Sequence, residues 1–179
     1  MATFSAFLIA ASALLGQTEA KQTALPDRIA KELGFFVGEW VVEGDLAGKA
    51  LTGRWSARWA RQRHCLLISS LLILDGERVS SNGISGWDAG KKELVTVQFF
   101  SNGVLEDTRY QLASPGVMKG VYTVSAEGEP LKVACEVQTN QPKEWTFKSA
   151  VNVFDNKKQA EFTIRFVRSE AQPKKDRDK

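Results

Sequence analysis

The chain of 179 residues holds one histidine, two cysteines, two tyrosines, two methionines and five prolines. Each scarcity excludes something. His64, Cys65 and Cys135 fall short of a four-ligand His/Cys zinc site, so no metal is expected. No apolar run reaches the roughly 20 residues that a membrane-spanning helix needs, so no stable membrane anchor is expected. Neither sign of charge dominates: 24 Lys and Arg stand against 21 Asp and Glu, a net +3. That is too little to argue for nucleic acid or an anionic surface as partner. A Gly-x-Ser-x-Gly elbow is missing, and Gly83-Ile84-Ser85-Gly86 has no following helix to hold a phosphate. What remains is 43% apolar and 25% charged, a globular composition long enough to bury a core. Composition names no reaction.

The first twenty residues stand apart. From Phe4 to Leu15 the chain carries no charge, then turns polar at Gly16-Gln17-Thr18-Glu19-Ala20. A run of about a dozen apolar residues suits a secretory h-region, and Ala20 is a small residue at a cleavage point. The stretch Met1-Ala2-Thr3 lacks the usual basic residue. An uncleaved helix packed on the domain is the alternative. The reading is a signal peptide at 1–20, a domain at 21–169 and a charged, disordered tail at 170–179, and hence a secreted or periplasmic protein.

Leu25, Ile29 and Leu33 share one helical face, Pro26 suits a first turn and Gly34 a helix end. A short helix over 26–33 follows. From Val37 onward the period changes to two. Ten strands are predicted near 37–45, 50–60, 64–74, 79–87, 93–100, 104–112, 117–125, 131–138, 144–153 and 160–168. Turn chemistry separates them, at Ala47-Gly48-Lys49, Asp75-Gly76, Asn102-Gly103, Ser114-Pro115-Gly116, Glu127-Gly128 and Asp155-Asn156 among others.

Alternation gives each strand two faces. Trp55, Ala57 and Trp59 share one side; so do Leu131, Val133, Cys135 and Val137. Trp145, Phe147, Ser149, Val151 and Val153 form a third inward row, and Phe162, Ile164 and Phe166 a fourth. Evenly spaced antiparallel strands with one wet face close on themselves or stack, because open edges invite aggregation. No long connection interrupts the run, so each strand pairs with its sequence neighbour. The expected fold is all-β, a ten-stranded antiparallel up-and-down barrel with the short helix at one mouth.

The helix leading into Gly38-Glu39-Trp40 resembles the Gly-x-Trp opening of the calycin superfamily, the lipocalins and fatty-acid-binding proteins. That resemblance implies an Arg near the end of the last strand that packs on the Trp and closes the barrel. Arg168 has the inward parity of Phe162, Ile164 and Phe166; Arg165 is the rival of opposite parity. More closely, Phe36-Val37-Gly38-Glu39-Trp40, the central Gly86-Trp87-Asp88 turn and the terminal aromatic-x-Arg resemble an uncharacterised, secreted bacterial family of calycin-like barrels. The resemblance covers roughly residues 33–168 and implies a fold far more than an activity. Nitrobindins, which hold haem through a late His, are similar in shape. This chain has no His after His64, and although Tyr110 or Tyr122 is a conceivable iron ligand, no cofactor is expected.

Candidate chemistry has two readings at each site. His64, with Asp75, Asp88 or Asp107 and a serine such as Ser69, Ser70, Ser80 or Ser81, would make a triad base; the plainer reading is a strand-end His near solvent. Glu106 and Asp107 are adjacent on a strand and therefore face opposite ways. Cys65 and Cys135, on non-neighbouring strands, are either a disulfide or two core fillers. Trp55, Trp59, Phe99, Tyr110, Trp145 and Phe147 either line an apolar ligand cavity or fill the barrel. The leading expectation is a non-catalytic barrel binding a small apolar or amphipathic molecule. An enzyme using the mouth, a hydrolase or isomerase with His64 as base, and an envelope interaction module with a filled core are the alternatives.

Overall fold

The computed structural model describes residues 25–46, 48–125, 129–149, 153–154, 157–158 and 161–170. Residues 1–20, expected to be a signal peptide, tail residues 171–179 and the side chains of Val151 and Val153 lie outside the described residues.

Among the described residues one helix, α1 (Asp27–Phe36), precedes β1 (Gly38–Leu46), β2 (Lys49–Trp59), β3 (Cys65–Leu74), β4 (Glu77–Asp88), β5 (Glu93–Phe100) and β6 (Leu105–Ser114). Then come β7 (Val117–Ser125), β8 (Leu131–Gln141), β9 (Glu144–Ser149), β10 (Val153–Phe154), β11 (Lys157–Lys158) and β12 (Phe162–Arg168). Ten of these strands form a closed ring in the order β1-β12-β9-β8-β7-β6-β5-β4-β3-β2, with β10 and β11 paired apart from it. Every pairing around the ring is antiparallel and links strands that follow one another in the barrel. The fold is the up-and-down barrel that the two-residue period predicts. Closure leaves no strand of the ring with an unpaired edge.

The helix is longer than its sequence pattern predicts. It passes through Gly34 to Phe36 and ends where Val37 turns extended. A glycine inside a helix costs about 1 kcal/mol relative to alanine. Burying Phe36 edge-on against Trp145, with ring centroids 5.2 Å apart, more than offsets that. Ile29, Leu33 and Phe36 form the buried face, and Asp27 sits in the first turn where the helix dipole favours an acid.

Strand β9 is shorter than the predicted 144–153. Its last residue, Ser149, pairs with Phe162, the first residue of β12, and residues 150–152 lie outside the described residues. Glycines mark tight approaches between strands. A Cβ on Gly53 of β2 would lie 2.3 Å from the Leu71 carbonyl oxygen, which only glycine allows. The core is densest beside the helix, where Trp40, Leu33, Leu66 and Leu94 are almost fully buried.

Candidate functional site

The closed end of the barrel is built by α1 and the seam between β1 and β12. Antiparallel pairing places Trp40 directly opposite Arg168. The Arg168 guanidinium carbon lies 4.2 Å from the Trp40 ring centroid, and its two terminal nitrogens donate to the Val37 and Phe35 carbonyls, each at 2.8 Å. Trp40 Nε1 donates to the Phe36 carbonyl, also at 2.8 Å. Two side chains thus satisfy three carbonyls at the end of α1, which would otherwise lack partners. Arg165 points outward and pairs with Glu43 and Glu144.

Above this floor the interior is open. A cavity of about 360 Å³ runs from Leu33 and Phe36 of the helix to Leu46, Leu74, Val79, Asn102 and Val104 at the opposite strand ends. That volume falls within the range of small-molecule sites, about 300–1,000 Å³. One wall is aromatic. Trp145 of β9 stacks on Phe166 of β12 at 3.5 Å with an interplanar angle of 7°, and Trp55 of β2 meets Trp145 edge-on at 5.4 Å. Phe147 and Phe162 continue this wall toward the mouth, 5.9 Å apart.

The facing wall, on β3 to β7, carries the polar part of the lining. Ser70 and Ser81 share a buried hydrogen bond at 2.7 Å, and the Ser81 hydroxyl donates to Gln98 Oε1. Thr96 donates to Ser85. Glu106 of β6 lines the cavity opposite Gln98 of β5, and its Oε1 accepts from the fully buried Thr108 hydroxyl at 3.1 Å. Burial raises the Glu106 carboxyl above its usual range, and the Thr108 hydrogen bond offsets part of that rise. Burial likewise lifts Tyr110 well above an ordinary phenol, with Cys135 and Glu106 adding to it. Tyr122 moves the same way, chiefly through burial. The Cys135 thiol is pushed up to about 12 by burial and the nearby Glu106. A thiol that reluctant to ionise is no nucleophile near neutral pH.

The structure distributes the sequence candidates unevenly. Trp55, Tyr110, Trp145 and Phe147 all line the cavity. Phe99 does not: it is 64% exposed on the outer face of β5, because its parity is opposite to that of the lining residues Gln98 and Phe100. Trp59 is also absent from the lining. It stands at the last position of β2, half-buried beside Gly34 of the helix, with the Arg63 guanidinium 5.2 Å from its ring. Its parity is right, but its height along the barrel places it beyond the cavity floor.

His64 is exposed in the β2–β3 connection, and none of its hydrogen bonds or ion pairs reaches an acid or hydroxyl among the described residues. Asp88 accepts from the Gly90 and Lys91 backbone, and Asp107 pairs with Arg109 outside the barrel. Both cysteines are free thiols. Cys135 is buried with the inward row of β8, whereas Cys65 precedes the inward Leu66 and faces the other way.

Glu106 is the residue that sequence reasoning passed over. Its adjacency to Asp107 drew attention to a pair that cannot exist, and away from its phase with Thr108 and Tyr110 on the inner face.

No family model matches this chain, and no curated protein matches it. Among solved structures, it is similar to a de novo designed fluorescence-activating β-barrel, at 14% identity and a TM-score of 0.46, over 76% of this chain and 96% of that one. A redesigned β-barrel bound to DFHBI aligns at 13% identity and a TM-score of 0.45, over 75% of this chain and 99% of that one.

Proposed function

We propose that this protein is an exported, non-catalytic barrel of the calycin type that carries a small, largely apolar molecule in its interior. The observation that supports this most is the cavity itself: about 360 Å³, walled by aromatic and aliphatic side chains and reaching the strand ends opposite the helix. A filled barrel would serve the interaction-module alternative better, and this interior is not filled. The His64-based enzyme alternative finds no support, since His64 sits outside the cavity lining, and the Cys135 thiol is held protonated. The Gly38-x-Trp40 opening with Arg168 across the seam supports the calycin relationship. The uncharged run Phe4–Leu15 supports export.

Native mass spectrometry of protein purified from its producing cells tests the carrier reading, together with titration by Nile red, an uncharged apolar dye. A mass increment lost on denaturation, or saturable one-to-one dye binding, is the expected result. Protein at bare chain mass that leaves the dye unbound would overturn it. Export has its own test: amino-terminal sequencing of secreted protein should begin near Lys21, and recovery of intact Met1 in the soluble cytosol would overturn it.

A further inference from the structure

We infer that the cavity selects a cationic ligand, a small molecule with a flat apolar body and a protonated amine that sits against Glu106. This rests on the carrier reading and goes on to the chemistry of what is carried. Glu106 is the only acid among the described lining residues, and those residues include no Lys, Arg or His. The charges of Arg109, Arg165 and Lys119 are engaged on the outer surface with Glu93, Asp107, Glu43, Glu144 and Glu136. The carboxyl inside therefore has no cation of its own among the described residues.

Its hydrogen-bond capacity is also underused. A carboxylate offers about four acceptor positions, and the Thr108 hydroxyl is the one donor to Glu106 among the described residues. A ligand carboxylate would set a second negative charge beside the first in a low-dielectric chamber, which like-charge repulsion and desolvation both oppose. A neutral ligand brings no countercharge, so beside it the carboxyl either stays unpaired or keeps its own proton. An ammonium supplies both the missing charge and up to three donors.

Position gives the ligand its shape. Around the ring, β1 stands opposite β6, with β2 and β12 on either side. The aromatic wall of Trp55, Phe162 and Phe166 therefore faces the Glu106 wall. Glu106 is the second residue of β6, near the open end, while Tyr110 lies deeper beside Leu94. The amine thus sits toward the mouth and the flat body deeper, against Trp145 and Phe166.

Three compounds with one indole body separate the outcomes: tryptamine, tryptophol and indole-acetate, titrated calorimetrically into the full-length protein at neutral pH. Tryptamine is expected to bind at least about tenfold more tightly than tryptophol, about 1.4 kcal/mol, with indole-acetate weakest. Glu106→Gln should bring tryptamine down to the affinity of tryptophol. If that variant does not fold, the wild-type protein still decides: the tryptamine advantage should shrink on acidification as Glu106 takes up a proton. The other titratable groups around it, Tyr110, Tyr122 and Cys135, stay neutral across that range. Equal affinity for the amine and the alcohol, or tightest binding of indole-acetate, overturns this inference and leaves the carrier reading standing. Binding of none of the three, with Nile red also unbound, removes both.

Discussion

Arg168 lies over the face of Trp40 at the one place where the barrel's first and last strands meet, 4.2 Å from its ring centroid. Between them the two side chains take up the carbonyls of Phe35, Phe36 and Val37. The contact therefore does three things at once. It registers β1 against β12, it ends the helix, and it fixes the helix as the floor of the cavity. A cation on an indole face contributes about 0.5–2 kcal/mol depending on desolvation, and the hydrogen bonds to buried carbonyls add to that.

Arg168→Ala should lower stability by roughly 1–4 kcal/mol, through lost packing and orphaned carbonyls. Arg165→Ala, three residues earlier on the outer face, should leave the urea midpoint close to wild type, since both of its ion pairs are exposed. Equilibrium unfolding of the two variants side by side checks the difference. Equal losses would mean that inward parity at β12 carries no stability.

Gly38 is tied to the same contact. Its φ is +130°, and a Cβ there would lie 2.7 Å from Arg168 Nη1. Gly38→Ala should cost about 1–3 kcal/mol from backbone strain alone, with the collision on top. In an Arg168→Ala background the collision is gone, so the added cost of Gly38→Ala should fall to the strain component. A double-mutant cycle reads that coupling directly. Strict additivity would show that the glycine serves the backbone and not the arginine.

The barrel was legible in the sequence because period two marks its strands, and inward parity falls on real inner faces at Trp55, Val133, Val137, Trp145 and Phe166. Parity also exposes where the reading of the site went astray. Phe99 is large and apolar, but it lies out of phase with Gln98 and Phe100, which face the cavity. Trp59 is in phase yet too far along its strand, and height along a barrel depends on strand stagger, which a single sequence does not carry. Glu106 was readable from phase alone. Because Glu106 and Asp107 face opposite ways, one of the two acids had to point inward, and phase with Thr108 and Tyr110 selects Glu106.

A tryptophan at the upper cavity should close it. Val124 of β7 lines the cavity and pairs across the strand with Glu106. Val124→Trp adds bulk where space exists, so the overpacking cost of about 1–3 kcal/mol seen in filled cores should be largely avoided. Nile red affinity should fall at least about tenfold, a change of about 1.4 kcal/mol, while the thermal midpoint stays near wild type. Unchanged dye binding would move the binding site away from the barrel interior.

The two thiols should differ sharply in reactivity. Cys135 is buried with its thiol pushed up to about 12, and Cys65 is half-buried with a smaller rise, also from burial. Only thiolates attack alkylating reagents at useful rates. With iodoacetamide under native conditions, Cys65 should label slowly and Cys135 only on unfolding, as mass spectrometry of tryptic peptides would resolve. Fast labelling of Cys135 would mean that the interior opens far more widely than this packing allows.

Glu106 should leave a mark on the pH dependence of stability, and its sign is fixed by the direction of its shift. Burial raises its carboxyl in the folded chain, so the folded state binds that proton more tightly than the unfolded state does. Below the ordinary glutamate range both states are protonated, and the carboxyl costs the fold nothing. As pH rises through that range the unfolded chain ionises first, and stability drains away until the folded group has ionised too. Above that point the loss is complete and constant. Tyr110, Tyr122 and Cys135 face Glu106, but all three are shifted upward and stay neutral throughout this window. Glu106→Gln removes the titration, so its stability relative to wild type should be lowest in acid and climb toward neutral pH. Thr108→Val supplies the control in the other direction. Without its hydroxyl the folded carboxyl rises further, so the same loss should extend to higher pH. Urea unfolding of the three proteins between acid and neutral pH measures both effects. Parallel curves would show that Glu106 is solvated as freely in the barrel as in the unfolded chain.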